Sequence, residues 1–281
     1  MKLIDYLQGR GLRANTGMCT LGDGRDWEVV INPSKVERTI RGEERILVVH
    51  AEATTAKMHF DLCAGASLTM VELYAGDCFA ECNIHQQAES RCEVVSVSVA
   101  GSAADYTIDL DGAGAENRLR SAYIAGGEEH TRLSLRVNHN VADCTSDSLV
   151  KGVAGGKATG EFYGLVYVAE DAQRTDARQT NRNIEIGPDA KIITKPQLEI
   201  YADDVKCSHG STVGQLDEKA LFYMRQRGIG IDEARMLLKF AFVSQVLDVL
   251  KLEALRDRLH YLVDKRFRGE LGKCEGCKFR K

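Results

Sequence analysis

The chain has 281 residues, of which 44% are hydrophobic and 28% charged, with a formal net charge of −4. This is a globular composition, long enough for one large core or one core with an appendage, and its mild acidity gives no general reason to bind nucleic acid or an anionic membrane. The opening MKLIDYLQGRG is broken by Asp5 and too short for a signal core, and no run of about 18 apolar residues occurs. The nine cysteines stand at irregular spacings. Reduced thiols and a cytoplasmic location are the expectation.

From the N-terminus the pattern is mainly β. SLTMVEL (67–73), CEVVSVSV (92–99), YTIDL (106–110) and RLSLRVNH (132–139) alternate apolar and polar residues, as half-buried strands do. GEFYGLVYV (160–168), RNIEIG (182–187) and AKIITKPQLEIYA (190–202) continue the pattern. The intervening turns resemble one another. VAGSAA begins at Val99, LDGAGA at Leu110, VAGGKA at Val153, VAEDAQ at Val168 and IGPDAK at Ile186. Each follows an apolar pair with small or acidic turn formers. A recurring strand and sharp turn suggests stacked rungs, a β-solenoid; an ordinary β-sandwich has similar spacing.

After Gly214 the chemistry changes. LDEKALFYMRQRG has acidic residues early, Arg225 and Arg227 late, and Gly228 as a stop, which predicts a helix. Beyond Ile231, apolar residues fall at helical spacing: Ala234, Leu237, Leu238 and Ala241, then Phe242, Val246, Val249 and Leu250, then Leu255, Leu259, Leu262 and Val263. Two long amphipathic helices are expected. The predicted organisation is a β core over 1–214 with a short lead-in, a helical domain over 215–268 and a basic tail over 269–281.

Four constellations bear chemistry. In KPQLEIYADDVKCSHGSTVGQ (195–215), Leu198, Ile200 and Ala202 share one parity, which predicts an inward face. Asp203 and Asp204 form a corner, after which Val205, Cys207 and His209 share a face. Thiolate and imidazole both suit iron, and both also serve as ordinary packed or hydrogen-bonded residues. The two supply half a ligand set at most, so a metal or cluster held here needs ligands from elsewhere. Cys78, Cys82, His85 and Cys92 have zinc-ligand types in a spacing that matches no common site, and buried structural thiols are the plainer expectation. Cys274 and Cys277 form one isolated C-x-x-C pair. GVAGGKAT (152–159) imitates a phosphate loop, but three residues rather than four separate Gly152 from Gly156, and Ala158 stands where Ser or Thr is needed. It is expected to be a β-turn, without nucleotide hydrolysis.

The run from Lys195 to Gly210, continued by GQLDEKALFYMRQRGI, resembles the SufD branch of the SufB/SufD family of SUF iron–sulfur cluster assembly subunits. Weaker resemblance covers the β region, including Tyr163-Gly164-Leu165. The resemblance implies a right-handed parallel β-helix followed by a small C-terminal helical domain. It further implies a non-enzymatic scaffold that pairs with a SufB-like subunit through the β-helix. A SufC-like ABC ATPase would dock on the helices. Cys207 and His209 match the family's Cys and His at the subunit interface, where iron or a transient iron–sulfur cluster is handled without being tightly held by the isolated chain. Arg225, Arg227, Gly228 and Ile229 match the helical-domain signature, with a role either in partner contact or in capping and packing their helix. A homodimer of the isolated chain is left open. Family members often carry a longer segment before the β core, whereas here the β pattern begins within the first 30 residues. The alternative function is an enzyme on the same scaffold, with Cys207 as nucleophile and His209 as base.

Overall fold

The structure, a computed structural model, describes residues 16–21 and 25–271. Sixteen strands precede three helices among them. β1 (Thr16–Thr20) pairs antiparallel with β2 (Asp26–Ile31), and every later pairing is parallel. From β3 (Lys35–Ile40) onward, successive strands fall in opposite sheets. The even-numbered strands, with β1, form a nine-stranded sheet ending at β16 (Val205–Gly214). The odd-numbered strands form a seven-stranded sheet ending at β15 (Lys191–Ile200). The mainly β expectation, with helices at the C-terminus, holds. The parallel pairing excludes a hairpin-connected antiparallel sandwich.

The two sheets differ in what covers them. β7 (Cys78–Gln86) and β9 (Ser102–Leu110) alternate buried and partly exposed residues along their whole length, because only their inner face is covered. β4 (Glu43–His50) and β8 (Arg91–Ser98) each end in five consecutive buried residues. Their even-parity side chains, such as Ile46, Val48 and Val94, join Phe60, Ile84 and Ile108 between the sheets. Their other face carries Leu47, Val49, Val95 and Val97, and packs against Val243, Val246, Leu247, Leu259 and Val263 of the helices. Fully burying such side chains contributes about 1.5–3 kcal/mol each.

The turns read at Leu110, Val153 and Ile186 belong to two columns of stacked corners. Gly65, Glu89, Gly114, Asp143 and Arg174 all adopt left-handed φ, between 56° and 73°. Backbone hydrogen bonds run from one corner to the next, as in Gly65 N–H to the Ala88 carbonyl (2.8 Å) and Glu89 N–H to the Ala113 carbonyl (2.9 Å). On the opposite side Gly127, Gly156 and Gly187 form a second left-handed column. A Cβ on Gly156 would lie 3.0 Å from the Gly127 carbonyl oxygen, so the close stacking itself demands glycine. The 152–159 segment is thus the end of β12 (Thr145–Gly155), this turn and the start of β13 (Thr159–Val168), with no helix to bind phosphate.

α1 (Glu218–Gln226) is capped by Asp217, whose carboxylate accepts from Lys219 and Ala220 N–H, and it buries only Leu221. It ends at Gly228, φ +85°, with Gly228 N–H on the Arg225 carbonyl and Ile229 N–H on the Met224 carbonyl. α2 (Ile231–Leu247) and α3 (Glu253–Phe267) lie on the nine-stranded sheet. The buried stripe of α2 is Ala234, Met236, Val243, Val246 and Leu247; Leu237 and Ala241, expected inside from spacing, are exposed. Lys151 anchors this layer. Its ammonium donates to the Phe242 carbonyl at 2.8 Å and lies 4.4 Å from the Phe242 ring centre. No described helix is long and apolar enough to cross a membrane.

Candidate functional site

β15 and β16 are each the last strand of their sheet, so ten residues on each present an edge that no described strand covers. β14 (Thr175–Ile186) lies beneath β16 and sets its register. Ala177 pairs with Cys207, Gln179 with His209 and Asn181 with Ser211. The face that Cys207 and His209 share is the one that points inward on the strands beneath β16. Cys207 packs against the small buried cluster that includes Val166, Ala177 and Ala202, and Ser211 reaches the Thr194 hydroxyl at 2.7 Å and Asn181 Oδ1 at 3.2 Å. Cys207 is half-buried, and burial pushes its thiol above the ordinary cysteine range. His209 is exposed, with no hydrogen-bond or ion-pair partner among the described residues. Ala202 is buried as expected, but Leu198 is only half-buried and Ile200 is 38% exposed. Their parity is right; no described residue stacks a further strand on this last pair. Tyr201 (62%) and Val213 (42%) add apolar surface to the same open end.

The interior changes character toward this end. Following register, one inner column reads Val94, Leu119, Ser148, Gln179, His209, and its neighbour reads Ser96, Ser121, Val150, Asn181, Ser211. Asn181 and Asn183 bond to one another, to the Val150 and Thr212 carbonyls, and to Thr194 and Tyr123. Sequence reasoning passed over these residues, because TDARQTNRNIEI looks like a solvated strand. The available signal was its glycine partners. Tyr123 spans Gly152 to reach Asn183 Oδ1 at 2.9 Å, and a Cβ on Gly152 would come within 2.2 Å of the Tyr123 ring.

The other constellations do not assemble. Cys78, Cys82 and Cys92 point into the core, where burial pushes the Cys78 and Cys92 thiols up to about 12 and Cys82 well above its usual range. His85 has the opposite parity and lies outside, 3.5 Å from both Asp109 and Asp111. Among the described residues no three His, Cys, Asp or Glu side chains are grouped to hold a metal ion, and their seven cysteines are free thiols. Cys274 and Cys277 lie outside the described residues. Arg225 and Arg227 are exposed, with Arg227 donating to the Tyr223 hydroxyl at 2.9 Å; Gly228 and Ile229 close the helix.

Comparison with known proteins fits this layout. Residues 41–242 match the family model described as SUF system FeS cluster assembly, SufBD core domain. The iron–sulfur cluster assembly protein SufD of Escherichia coli is 38% identical over 160 residues, 57% of this chain and 38% of that protein. A SufBD family protein of Synechocystis is 34% identical over 200 residues, 68% of this chain and 43% of that protein. SufD of Bacillus subtilis is 25% identical over 162 residues, covering 58% and 37%. The chain thus spans less than half the length of these relatives. With the match running through the parallel strands into the helices, the chain belongs to the SufB/SufD family of SUF iron–sulfur cluster assembly proteins, and within it is SufD-like.

Proposed function

We propose that the chain is a non-catalytic scaffold subunit of the SUF assembly complex, working in the cytoplasm. It contributes His209, with Cys207 beside it, to a site that a SufB-like partner completes. The observation that carries this reading is the position of His209, an unpartnered imidazole on an uncovered edge strand with one thiol two residues away. Two such side chains cannot hold a cluster alone, and iron or a cluster is cargo passed through the junction rather than a resident cofactor.

The strands supply the docking geometry. Alternation between two parallel sheets is the connectivity of a β-helix, and parallel crossovers are right-handed in about 98% of cases, which supports the right-handed form. An uncovered end with free N–H and C=O groups favours pairing with another strand, either from a SufB-like subunit or from a second copy when the chain is alone. The helices are the docking surface for a SufC-like ATPase. Phe222 and Tyr223 of α1 are exposed beside Arg225 and Arg227, which supports a contact of mixed apolar and basic character, while Gly228 and Ile229 fix the end of that helix. Because α2 and α3 pack on the nine-stranded sheet, nucleotide-driven movement of the helices would be felt at the open end.

Anaerobic reconstitution of cluster assembly with a SufB-like and a SufC-like subunit tests this. His209→Ala is expected to slow assembly at least tenfold while the complex still co-purifies. Assembly at the wild-type rate would remove His209 from the site.

A further inference from the structure

Gln179 is 1% exposed, yet neither its Oε1 nor its Nε2 has a hydrogen-bond partner among the described residues. Its neighbours on β14 are not in this position, since Asn181 and Asn183 are bonded on both amide atoms. The fold makes room for the unpaired amide. Gly164 of β13 lies against it, and a Cβ there would stand 2.4 Å from Gln179 Nε2. In register, the next residue of this inner column is His209, which also lacks a partner among the described residues. Side chains in register on one face of adjacent strands are about 4.8 Å apart, so a rotamer change brings amide and imidazole into hydrogen-bond contact.

We propose that Gln179 is a positioning residue for His209: its Oε1 accepts the imidazole N–H that faces into the stack, which leaves the other ring nitrogen as a lone pair at the open end. The inference rests on His209 being a ligand at that end. A ligating histidine commonly donates its second N–H to an acceptor that fixes tautomer and ring orientation. A neutral amide does this without adding a buried charge.

The test uses the full chain labelled with ¹⁵N-histidine, with His209 assigned by the loss of its signals in His209→Ala. Wild type is expected to show one dominant neutral tautomer. Gln179→Met, which removes donor and acceptor at nearly constant volume, is expected to show both. Gln179→Glu, which keeps an acceptor, is expected to retain the single tautomer. In the reconstituted complex, Gln179→Met is expected to lower assembly about 10–100-fold and Gln179→Glu to restore most of it. Thermal unfolding of Gln179→Met should be little changed, because loss of the bond to the exposed His209 is offset by removal of the buried Nε2, which has no acceptor among the described residues. Equal tautomer populations in wild type and Gln179→Met would overturn the inference, as would full assembly by Gln179→Met. If His209→Ala assembles normally while the tautomer still depends on Gln179, the ligand reading fails and the pairing stands.

Discussion

Asp143 and Arg174 occupy the same left-handed corner of neighbouring rungs, and the Arg174 guanidinium donates to both Asp143 carboxylate oxygens at 2.6 Å. Left-handed φ is unfavourable for residues with a Cβ, so these corners are held by hydrogen bonds rather than by glycine. The Asp143 carboxyl is kept below its usual range by its hydrogen bonds from Arg174. A carboxylate with a depressed folded pKa contributes stability above its unfolded pKa, near 3.9, and loses it as pH falls through the lower folded value. The melting-temperature advantage of wild type over Asp143→Asn is therefore expected to be constant at neutral pH and to shrink below about pH 4. A pH-independent difference would show that the charge of the pair contributes nothing.

Lys151 gives the opposite window. It lies almost fully buried between β12 and α2, and burial, with Arg182 as a lesser cause, lowers its ammonium to about 8. Between about pH 8 and the unfolded lysine value near 10.4, the unfolded chain binds more protons, so stability from this group rises with pH. Chemical denaturation of wild type and Lys151→Met from pH 7 to 10.5 should show wild type gaining relative to the variant. No relative gain would mean that the lysine stays charged in the folded protein.

Tyr123 is cradled by two glycines. Besides the Gly152 contact, a Cβ on Gly160 would come within 2.6 Å of its ring. Gly152→Ala must displace a buried ring and is expected to cost about 1–3 kcal/mol. Tyr123→Phe, which only removes the hydroxyl bonded to Asn183, should cost about 0.5–1.5 kcal/mol. Urea titrations of both variants check the order. A Gly152→Ala as stable as wild type would show that the ring has room to move.

These three sites show where sequence reading reaches its limit. The alternation in YTIDL announces a strand with one covered face, and the inference is sound because the outer face of the seven-stranded sheet is open. CEVVSVSV alternates too, yet its outer residues lie under helices, which no local pattern can reveal. Periodicity also says nothing about the partner strand, so parallel sheets and an antiparallel sandwich look alike in the sequence. The turns holding Gly114, Gly156 and Gly187 were legible, but the corners at Gly65, Glu89, Gly127, Asp143 and Arg174 were not, and for the last two and Glu89 only stacking explains the residue present. At the open end, parity put Cys207 and His209 on one face without saying which way that face points. Gln179, Asn181 and Asn183 went unseen because buried amides in strands carry the same letters as solvated ones. In α2, helical spacing admits overlapping stripes, and packing on the sheet chose the one without Leu237 and Ala241.

A buried polar cluster lies far from that end. Glu72 accepts from the Tyr106 hydroxyl and meets His50 Nε2 at 2.7 Å, while His50 stacks on Tyr74 with ring centres 4.8 Å apart. All four side chains are buried. Removing one member leaves the others unmatched, so Glu72→Ala is expected to destabilise by about 3–5 kcal/mol. Glu72→Gln, which keeps an acceptor, should cost less. Equal losses in calorimetry would show that the carboxylate itself matters, since the amide keeps both the volume and an acceptor.

The thiol chemistry separates the scaffold from an enzyme with a cysteine nucleophile. Thiolate reactivity needs a depressed pKa, and burial moves Cys207 the other way, as it does Cys78, Cys82, Cys92 and Cys144. Iodoacetamide at pH 7.5, read peptide by peptide by mass spectrometry, is expected to modify Cys207 more slowly than free cysteine. It should leave Cys82, Cys92 and Cys144 untouched until the protein unfolds. Raising the pH toward 9 should accelerate Cys207 with no plateau near neutrality, because its thiol titrates above the ordinary range. Rapid labelling of Cys207 at pH 7 that His209→Ala abolishes would instead reveal an activated Cys–His pair, and would put the nucleophile reading ahead of the scaffold.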